Sequence, residues 1–216
     1  MHIVLLGAGG HVAQRIAREA LARGHQVTAL VRDPASFQSY DSRLTVVRGD
    51  ATNEADIARA AAGADAIVNA VSPRPSPSGR PASSLVAVAH AVIAGARQAG
   101  VKRVVIVGGA GSLEVGPGRR RMDQSDFPAA YKPESAAQAD ALAVYRSEAG
   151  GLDWTYISPA DVIEPGERTG TFRTGGDQML FDRNGRSVIS FEDYAVALVN
   201  ELEKPAHIGQ RMTVAY

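Results

Sequence analysis

Short apolar runs rich in β-branched residues alternate along the first half of the chain with alanine-rich stretches whose apolar residues recur at helical spacing. The runs predict strands at His2–Leu6, Gln26–Val31, Leu44–Arg48, Ala66–Val71 and Arg103–Val107. The stretches between them predict helices at Val12–Arg23, from an Asn53 cap to about Ala62, and from about Ser83 to Ala99. Elements that alternate at this pitch form βαβ units with right-handed crossovers, so we expect an α/β fold with a doubly wound parallel sheet.

The alternation becomes irregular after Gly108. A long loop is predicted over residues 111–133, and residues 160–190 are predicted as an irregular insertion on the substrate side. The remaining regular elements are predicted as helices at about Glu134–Glu148 and Asp193–Glu203 and strands at Trp154–Ser158 and Met212–Val214. The low-complexity stretch Ser72–Arg80 is too short to link two domains. We therefore expect one domain over residues 1–216, with a flexible loop at 72–81 near the site.

Composition narrows the classes of function. The 23 basic and 23 acidic residues balance, which removes the electrostatic basis for a nucleic-acid partner. No run of about 18 apolar residues occurs, so no membrane span is expected. The absence of cysteine excludes disulfides, thiolate metal sites and cysteine catalysis, and it fits a cytoplasmic protein. The five histidines show no metal-binding spacing, so no metal site is expected.

A glycine turn follows the first predicted strand, with the sequence Gly7-Ala8-Gly9-Gly10-His11-Val12-Ala13. Glycine permits a tight turn and a close approach of the backbone to a pyrophosphate. The N–H groups and the positive dipole end of the following helix favour the same anion. Because the motif lies between the first strand and the first helix, it predicts a dinucleotide site.

The ends of the next two strands bear on the type of dinucleotide. An NAD site usually places Asp or Glu about 20 residues after the glycines, whereas this chain has Arg32 followed by Asp33. A permanently charged guanidinium can hold a 2′-phosphate bidentately, so NADP(H) is favoured over NAD(H). The other interpretation makes Arg32 a solvated charge at a strand end. Asp50, after the third strand, either caps a turn or binds the adenine amino group.

With these motifs the chain resembles the atypical short-chain dehydrogenases/reductases. Within them it resembles the NAD(P)H-binding, NmrA-like group, which includes proposed NADH-flavin reductases of bacteria and is similar to biliverdin-IXβ/flavin reductase. The resemblance covers nearly the whole chain and rests on HIVLLGAGGHVA, VTALVRDP, RLTVVRGDAT, VKRVVIVGGAGSL, LDWTYISPA and SFEDYAVALVNELEKP. It implies a Rossmann-type doubly wound parallel sheet with a small C-terminal substrate region.

The resemblance also implies cofactor contacts along the carboxyl edge of the sheet. The contacts implied for the pyrophosphate are Gly7, Gly9, Gly10, His11 and Val12. Arg32 is implied to bind the adenosine phosphate, and Asp50 and Ala51 are implied to bind the adenine. Ala70, Val71 and Ser72 pass under the ribose, Val107, Gly108 and Gly109 lead to the nicotinamide, and Ser158, Pro159 and Ala160 lie beside its amide group.

The chain departs from the common short-chain enzymes at their catalytic pair. Those enzymes carry Tyr-x-x-x-Lys, in which the lysine lowers the tyrosine pKa for acid–base work on a carbonyl. Here Lys132 directly follows Tyr131, and the residue four positions after Tyr131 is Ser135. Tyr145 is followed at the same distance by Ala149. The missing pair argues against carbonyl or alcohol dehydrogenase activity.

Three residues stay candidates for catalysis or substrate contact. Ser112, after the fifth strand, is either a substrate contact or a turn residue. Tyr131 and Lys132 either reach the pocket from the loop or lie in solvent, and Lys132 has the nicotinamide ribose as a second candidate partner. The run Arg119–Arg121 is interpreted as solvated, with recognition of an anionic substrate as the alternative.

These observations favour an NADPH-dependent reductase of flavins, quinones or similar conjugated small molecules. Hydride would pass directly to an acceptor stacked on the nicotinamide, and solvent would supply the proton. We expect a broad apolar pocket lined by the loops after Ser72, Ser112 and Pro159. The alternative is a redox sensor that binds the dinucleotide without turnover. An epimerase or dehydratase with bound NAD is a weaker hypothesis, because that chemistry needs the tyrosine base.

The oligomeric state stays open between a monomer and a homodimer. The long alanine-rich helices predicted near residues 83–99 and 134–148 either pair between subunits or pack only on their own sheet.

Overall fold

The computed structural model describes residues 1–73, 82 and 84–216, so most of the predicted 72–81 loop lies outside the described residues. The strands are β1 (His2–Leu6), β2 (Gln26–Val31), β3 (Leu44–Arg48), β4 (Ala66–Asn69), β5 (Arg103–Val107), β6 (Glu114–Gly116), β7 (Arg119–Arg120), β8 (Asp153–Ser158), β9 (Val162–Glu164), β10 (Arg173–Gly175), β11 (Val188–Ser190) and β12 (Gln210–Ala215). The α-helices are α1 (His11–Ala22), α2 (Glu54–Ala60), α3 (Ser84–Ala99), α4 (Lys132–Glu148) and α5 (Phe191–Glu203).

The centre of the fold is an eight-stranded sheet in the order β10-β12-β8-β5-β4-β1-β2-β3. All neighbouring strands are parallel except β10, which runs antiparallel to β12. Chain order reverses between β1 and β4, so the sheet is doubly wound as the sequence predicts. The Rossmann-type α/β fold is thereby confirmed.

Helices cover both faces of this sheet. Ile3 and Leu5 of β1 point to a core shared with α1 and α5, and Val4 and Leu6 point to a core shared with α2, α3 and α4. This division follows from the alternation of side chains along a strand. In the described parts of the chain, no helix is long and apolar enough to cross a membrane.

The second half differs from the prediction at several element boundaries. The predicted 111–133 loop contains the β6–β7 hairpin and short 3-10 helices at Arg121–Asp123 and Ala129–Tyr131. Helix α4 begins at Lys132, before the predicted Glu134, because Pro133 is tolerated in a first helical turn. Helix α5 begins at Phe191, where the Ser190 hydroxyl accepts the N–H of Asp193 as a cap.

The irregular insertion lies beside the carboxyl edge of the sheet. Strands β9 and β11 pair in parallel as a separate small sheet, whereas β10 extends the main sheet. The segment between β9 and β10 is attached to α1 and α5 by hydrogen bonds. Arg168 makes two hydrogen bonds of 2.8 Å to Glu19 of α1, and the Gly170 N–H donates to Asp193 of α5 at 2.7 Å.

Candidate functional site

A cavity of about 760 Å³ lies at the carboxyl edge of the sheet, where the strand order reverses between β1 and β4. Doubly wound sheets bind their ligands at this switch point. The wall is built from the segments that follow four parallel strands, from residues in the 121–131 segment, and from the starts of α4 and α5. The segments that follow strands are residues 10–13 after β1, 70–72 after β4, 107–111 at the end of β5 and 159–163 after β8.

The glycine turn brings the backbone after β1 against the backbone after β4. Gly7 has a φ of 75°, and a Cβ placed on it would lie 2.7 Å from the carbonyl oxygen of Ala70. The Gly10 N–H closes the turn by donating to the Gly7 carbonyl at 3.0 Å. Gly10 caps α1 without a side-chain hydrogen bond, so the first N–H groups of the helix are available to an anion. A dinucleotide pyrophosphate therefore fits this turn.

His11 stands beside the turn on an aromatic support. Its ring stacks parallel to Phe191 of α5, with an interplanar angle of 2° and centroids 6.3 Å apart. The Arg15 guanidinium lies 5.5 Å from the centre of the same Phe191 ring and bonds to Glu192 at 3.0 Å. These contacts fix the position of His11 at the cavity wall.

The residues predicted to hold the adenosine lie along the same edge, outside the cavity wall. Arg32 is exposed and directly follows β2. Asp50 follows β3, and its Oδ1 accepts the N–H and the hydroxyl of Thr52 at 2.8 and 2.6 Å. These bonds cap a turn, which is the first of the two roles considered for Asp50. Ala51 beside it is buried.

In the region predicted to hold the nicotinamide, glycines let two elements approach the backbone after β5. A side chain on Gly108 would collide with the ring of Tyr156, and a Cβ on Gly111 would lie 2.5 Å from Ser135 of α4. The Tyr156 hydroxyl in turn donates to Gln138 of α4, whose Oε1 lies 2.7 Å away. Helix α4 therefore begins directly over the end of β5.

Ser158 and its neighbours have different positions in this region. The buried Ser158 hydroxyl donates to the Gly109 carbonyl at 2.9 Å and so supports the loop from behind. Pro159 and Ala160 line the cavity. Of the predicted cofactor residues, those in the cavity wall are Gly10, His11, Val12, Ala70, Val71, Ser72, Val107, Gly108, Gly109, Pro159 and Ala160.

The three predicted catalytic candidates are not brought together. Tyr131 lines the cavity and is 61% exposed. Lys132 begins α4 as an exposed residue and is absent from the described cavity wall. Ser112 lies outside that wall too, because its hydroxyl accepts from the buried Arg211 at 2.9 Å. The structure thus brings Tyr131 to the cavity and leaves the other two away from it.

Arg121 and its partners form a part of the wall that the sequence did not predict. The Arg121 Nε lies 2.9 Å from both carboxylate oxygens of Asp161, and its Nη1 lies 2.8 Å from Asp126. The guanidinium also sits 5.3 Å from the ring centre of Phe127. The expectation of a solvated arginine run is therefore wrong for Arg121, because this network buries most of its side chain.

Glu134 was predicted only as a helix boundary, yet it lines the cavity from the first turn of α4. Its Oε1 accepts from the Ser72 hydroxyl at 3.2 Å. Burial raises the pKa of Glu134 above its usual value, and the hydrogen bond from Ser72 offsets only part of this rise. A glutamate after Pro in a first helical turn is common, so the sequence carried no signal for this position.

Residues 7–205 match the family described as NAD(P)H-binding. The chain belongs to this NAD(P)H-binding family. The match runs from the glycine turn into the segment after α5, so it includes every segment of the cavity wall. A nicotinamide dinucleotide is therefore the cofactor type of this family member, as the resemblance implied.

Three solved structures illustrate the range of its relatives. A proposed exported protein from Burkholderia pseudomallei is 47% identical with a TM-score of 0.89, and 100% of each chain is covered. A proposed epimerase from Bacteroides thetaiotaomicron is 38% identical with a TM-score of 0.89, covering 100% of this chain and 96% of that one. A proposed NADH-flavin reductase from Streptococcus pneumoniae is 31% identical with a TM-score of 0.80, covering 100% and 99%.

Proposed function

We propose that the protein is an NADPH-dependent reductase of flavins, quinones or similar flat conjugated acceptors. The observation that carries the proposal is a single cavity that joins the glycine turn to an apolar opening. At that opening Tyr131 and Val162 are 61% and 45% exposed, and Phe127, Pro128 and Ile163 line the same wall. Large apolar side chains exposed around a cavity favour an apolar ring system as the ligand.

The residues of the chain would bind and orient the two reactants. The Gly7–Val12 turn would hold the pyrophosphate, and the backbone at Val107–Gly109 with Pro159 and Ala160 would hold the nicotinamide end. A reduced nicotinamide supplies hydride when it is bound. The apolar opening would place the acceptor ring over that end and exclude water, so catalysis would depend mainly on orientation.

The preference for NADPH over NADH is proposed from Arg32. Its exposed guanidinium follows β2 at the edge where an NAD-preferring site has a carboxylate. A guanidinium favours a phosphate there by charge and by bidentate geometry.

The absence of a Tyr-x-x-x-Lys pair separates this proposal from carbonyl chemistry. Tyr131 reaches the cavity, but Ser135 stands one helical turn after it and Lys132 is absent from the described wall. The Streptococcus pneumoniae relative supports flavin reduction, whereas the Bacteroides relative bears an epimerase name. An epimerase that uses bound NAD needs a base for a sugar hydroxyl, and Tyr131 has no lysine one helical turn after it to complete the usual acid–base pair.

The proposal is tested by measuring NADPH oxidation without oxygen in the presence of riboflavin or a naphthoquinone. We expect turnover by the wild type and by Tyr131→Phe, since no phenol proton is required. Tight binding of NADPH without turnover would instead favour the redox-sensor alternative. Turnover by the wild type that is lost in Tyr131→Phe would favour tyrosine-based chemistry.

The small-molecule acceptor is the partner proposed here, and the cytoplasm is the proposed compartment. The cavity of about 760 Å³ is of a size that suits a small molecule. The cytoplasm is proposed because the chain contains no cysteine, so nothing in it needs an oxidising compartment.

A further inference from the structure

Glu134 connects the two sides of the cavity. It belongs to the first turn of α4, a helix whose Ser135 and Gln138 also line the cavity. Its Oε1 accepts from the hydroxyl of Ser72, which follows β4 on the cofactor side. The carboxyl group is half-buried, so it is accessible from the cavity yet partly removed from water.

The surroundings of Glu134 favour its neutral form. Burial raises its pKa, although the Ser72 hydrogen bond and a place in the first helical turn both favour the carboxylate. The hydrogen-bond partner that the structure describes for this carboxylate is the uncharged hydroxyl of Ser72. The titratable groups that line or adjoin the cavity are His11, Arg121, Asp126, Tyr131, Tyr156, Asp161 and Tyr194.

The other groups of the cavity wall are poorly placed to supply a proton. Asp126 and Asp161 are both engaged in ion pairs with Arg121. His11 is stacked on Phe191 beside the glycine turn, at the pyrophosphate side. Tyr131 has no lysine one helical turn away, so the usual tyrosine–lysine proton-transfer pair is missing.

We propose that Glu134 is the proton donor of this site, and the proposal rests on the proposed reductase function. A quinone that accepts a hydride from the reduced dinucleotide gains two electrons and one proton and becomes a hydroquinone anion. The O–H bond of the Glu134 carboxylic acid then breaks, and its proton bonds to the anionic oxygen of the acceptor. The product is a neutral hydroquinone, and water returns a proton to the Glu134 carboxylate. This role replaces the expectation that solvent alone supplies the proton.

The variant Glu134→Gln tests this role, with Glu148→Gln as the matched control. Glu148 is an exposed glutamate at the end of the same helix, where it bonds to His90. With a naphthoquinone as acceptor, Glu134→Gln is expected to lower kcat about 100-fold. Its NADPH dissociation constant and its unfolding midpoint should stay close to those of the wild type. Glu148→Gln should leave all three quantities unchanged.

The pH dependence gives a signature that a structural role would not give. Because the acid form donates the proton, kcat of the wild type should fall as pH rises through the raised pKa of Glu134. The Glu134→Gln variant should lack this limb. A normal kcat in Glu134→Gln with the same limb would overturn the role while leaving the reductase function intact. A wild type that oxidises no NADPH with any acceptor would overturn both.

A second readout does not depend on turnover. Carbon-13 NMR of glutamate carboxyl groups in the dinucleotide-free protein should show one signal that titrates above the others and is missing in Glu134→Gln. A Glu134 signal that titrates with the ordinary glutamates would overturn the proposal.

Discussion

Gly7 and Ala70 approach so closely that no side chain fits between them. A Cβ on Gly7 would lie 2.7 Å from the Ala70 carbonyl oxygen, and Gly7 also has a positive φ of 75°. The contact joins the turn after β1 to the segment after β4, on the two sides of the switch point. The first glycine of the motif is therefore required by packing as well as by the approach of a pyrophosphate.

Substitution of Gly7 by Ala should lower the free energy of unfolding by about 1–3 kcal/mol, because an alanine is strained at this positive φ and its Cβ would collide with the Ala70 backbone. Gly9→Ala is the matched control, since a Cβ there would meet no heavy atom within 4 Å. Its free energy of unfolding should change by less than about 0.5 kcal/mol. Urea unfolding measures both. Equal changes in the free energy of unfolding for the two variants would show that the close Gly7–Ala70 contact adds no cost of its own.

Substitution of Arg32 by Ala should remove the preference for NADPH. In the wild type we expect NADPH to bind at least about tenfold more tightly than NADH, or roughly 1.4 kcal/mol. In Arg32→Ala the two dissociation constants should be similar, because the 2′-phosphate has lost its cation. Arg43→Ala is the control, since Arg43 precedes β3 at the opposite end of the sheet and pairs with Asp41. Calorimetric titration measures these dissociation constants. Equal affinities of the wild type for NADPH and NADH would refute the role of Arg32.

The parallel core was predictable because each of its strands can be recognised from its own local sequence. Strands β1, β2, β3 and β5 have the predicted bounds, since each is a short apolar run that ends at a glycine or a charged residue. The glycine turn was predictable for the same reason, because its motif is contiguous.

The part of the cavity wall that contains Arg121, Glu134 and Asp161 was not predictable, because its contacts join residues distant along the chain. Arg121 and Asp161 are 40 positions apart, and neither shows its partner in its local sequence. Ser112 directly follows the segment after β5, but the buried Arg211 from β12 donates to its hydroxyl. Glu134 and Ser72 are 62 positions apart and meet only once α4 packs over the sheet.

Ser112→Ala should leave the acceptor kcat/KM within about twofold of the wild type, because its hydroxyl accepts from Arg211 outside the cavity wall. The loss of this hydrogen bond should lower the free energy of unfolding by about 1 kcal/mol. Steady-state kinetics and urea unfolding of one sample measure both quantities. A tenfold fall in kcat/KM would restore Ser112 as a substrate contact.

Glu201 should make the stability of the protein dependent on pH. It is buried, bonds to the buried Arg103 at 3.1 Å and to His207 at 2.9 Å, and accepts the His207 N–H. Burial raises the pKa of Glu201, but the hydrogen bonds from the side chain and backbone of His207 and from the Ala206 N–H outweigh this effect, so the pKa lies below its ordinary value. The stabilisation is therefore complete above the ordinary glutamate pKa and is lost as pH falls through the lowered one.

Glu201→Gln should cost about 3 kcal/mol of unfolding free energy at neutral pH, because Arg103 loses its buried charge partner. The difference from the wild type should narrow as the pH falls below the ordinary glutamate pKa. Glu203→Gln on the same helix is the control, and its more exposed ion pairs should contribute less than about 1 kcal/mol. Urea unfolding across pH measures the difference. A constant gap at all pH values would contradict the lowered pKa.

Direct hydride transfer from NADPH to a conjugated acceptor can be followed as anaerobic oxidation of NADPH by the purified protein with riboflavin and with a naphthoquinone. The NADPH carries either hydrogen or deuterium at the transferred position. We expect one acceptor to be reduced per NADPH oxidised, at a rate that deuterium lowers. NADPH that binds but is oxidised no faster than in the absence of the protein would contradict it.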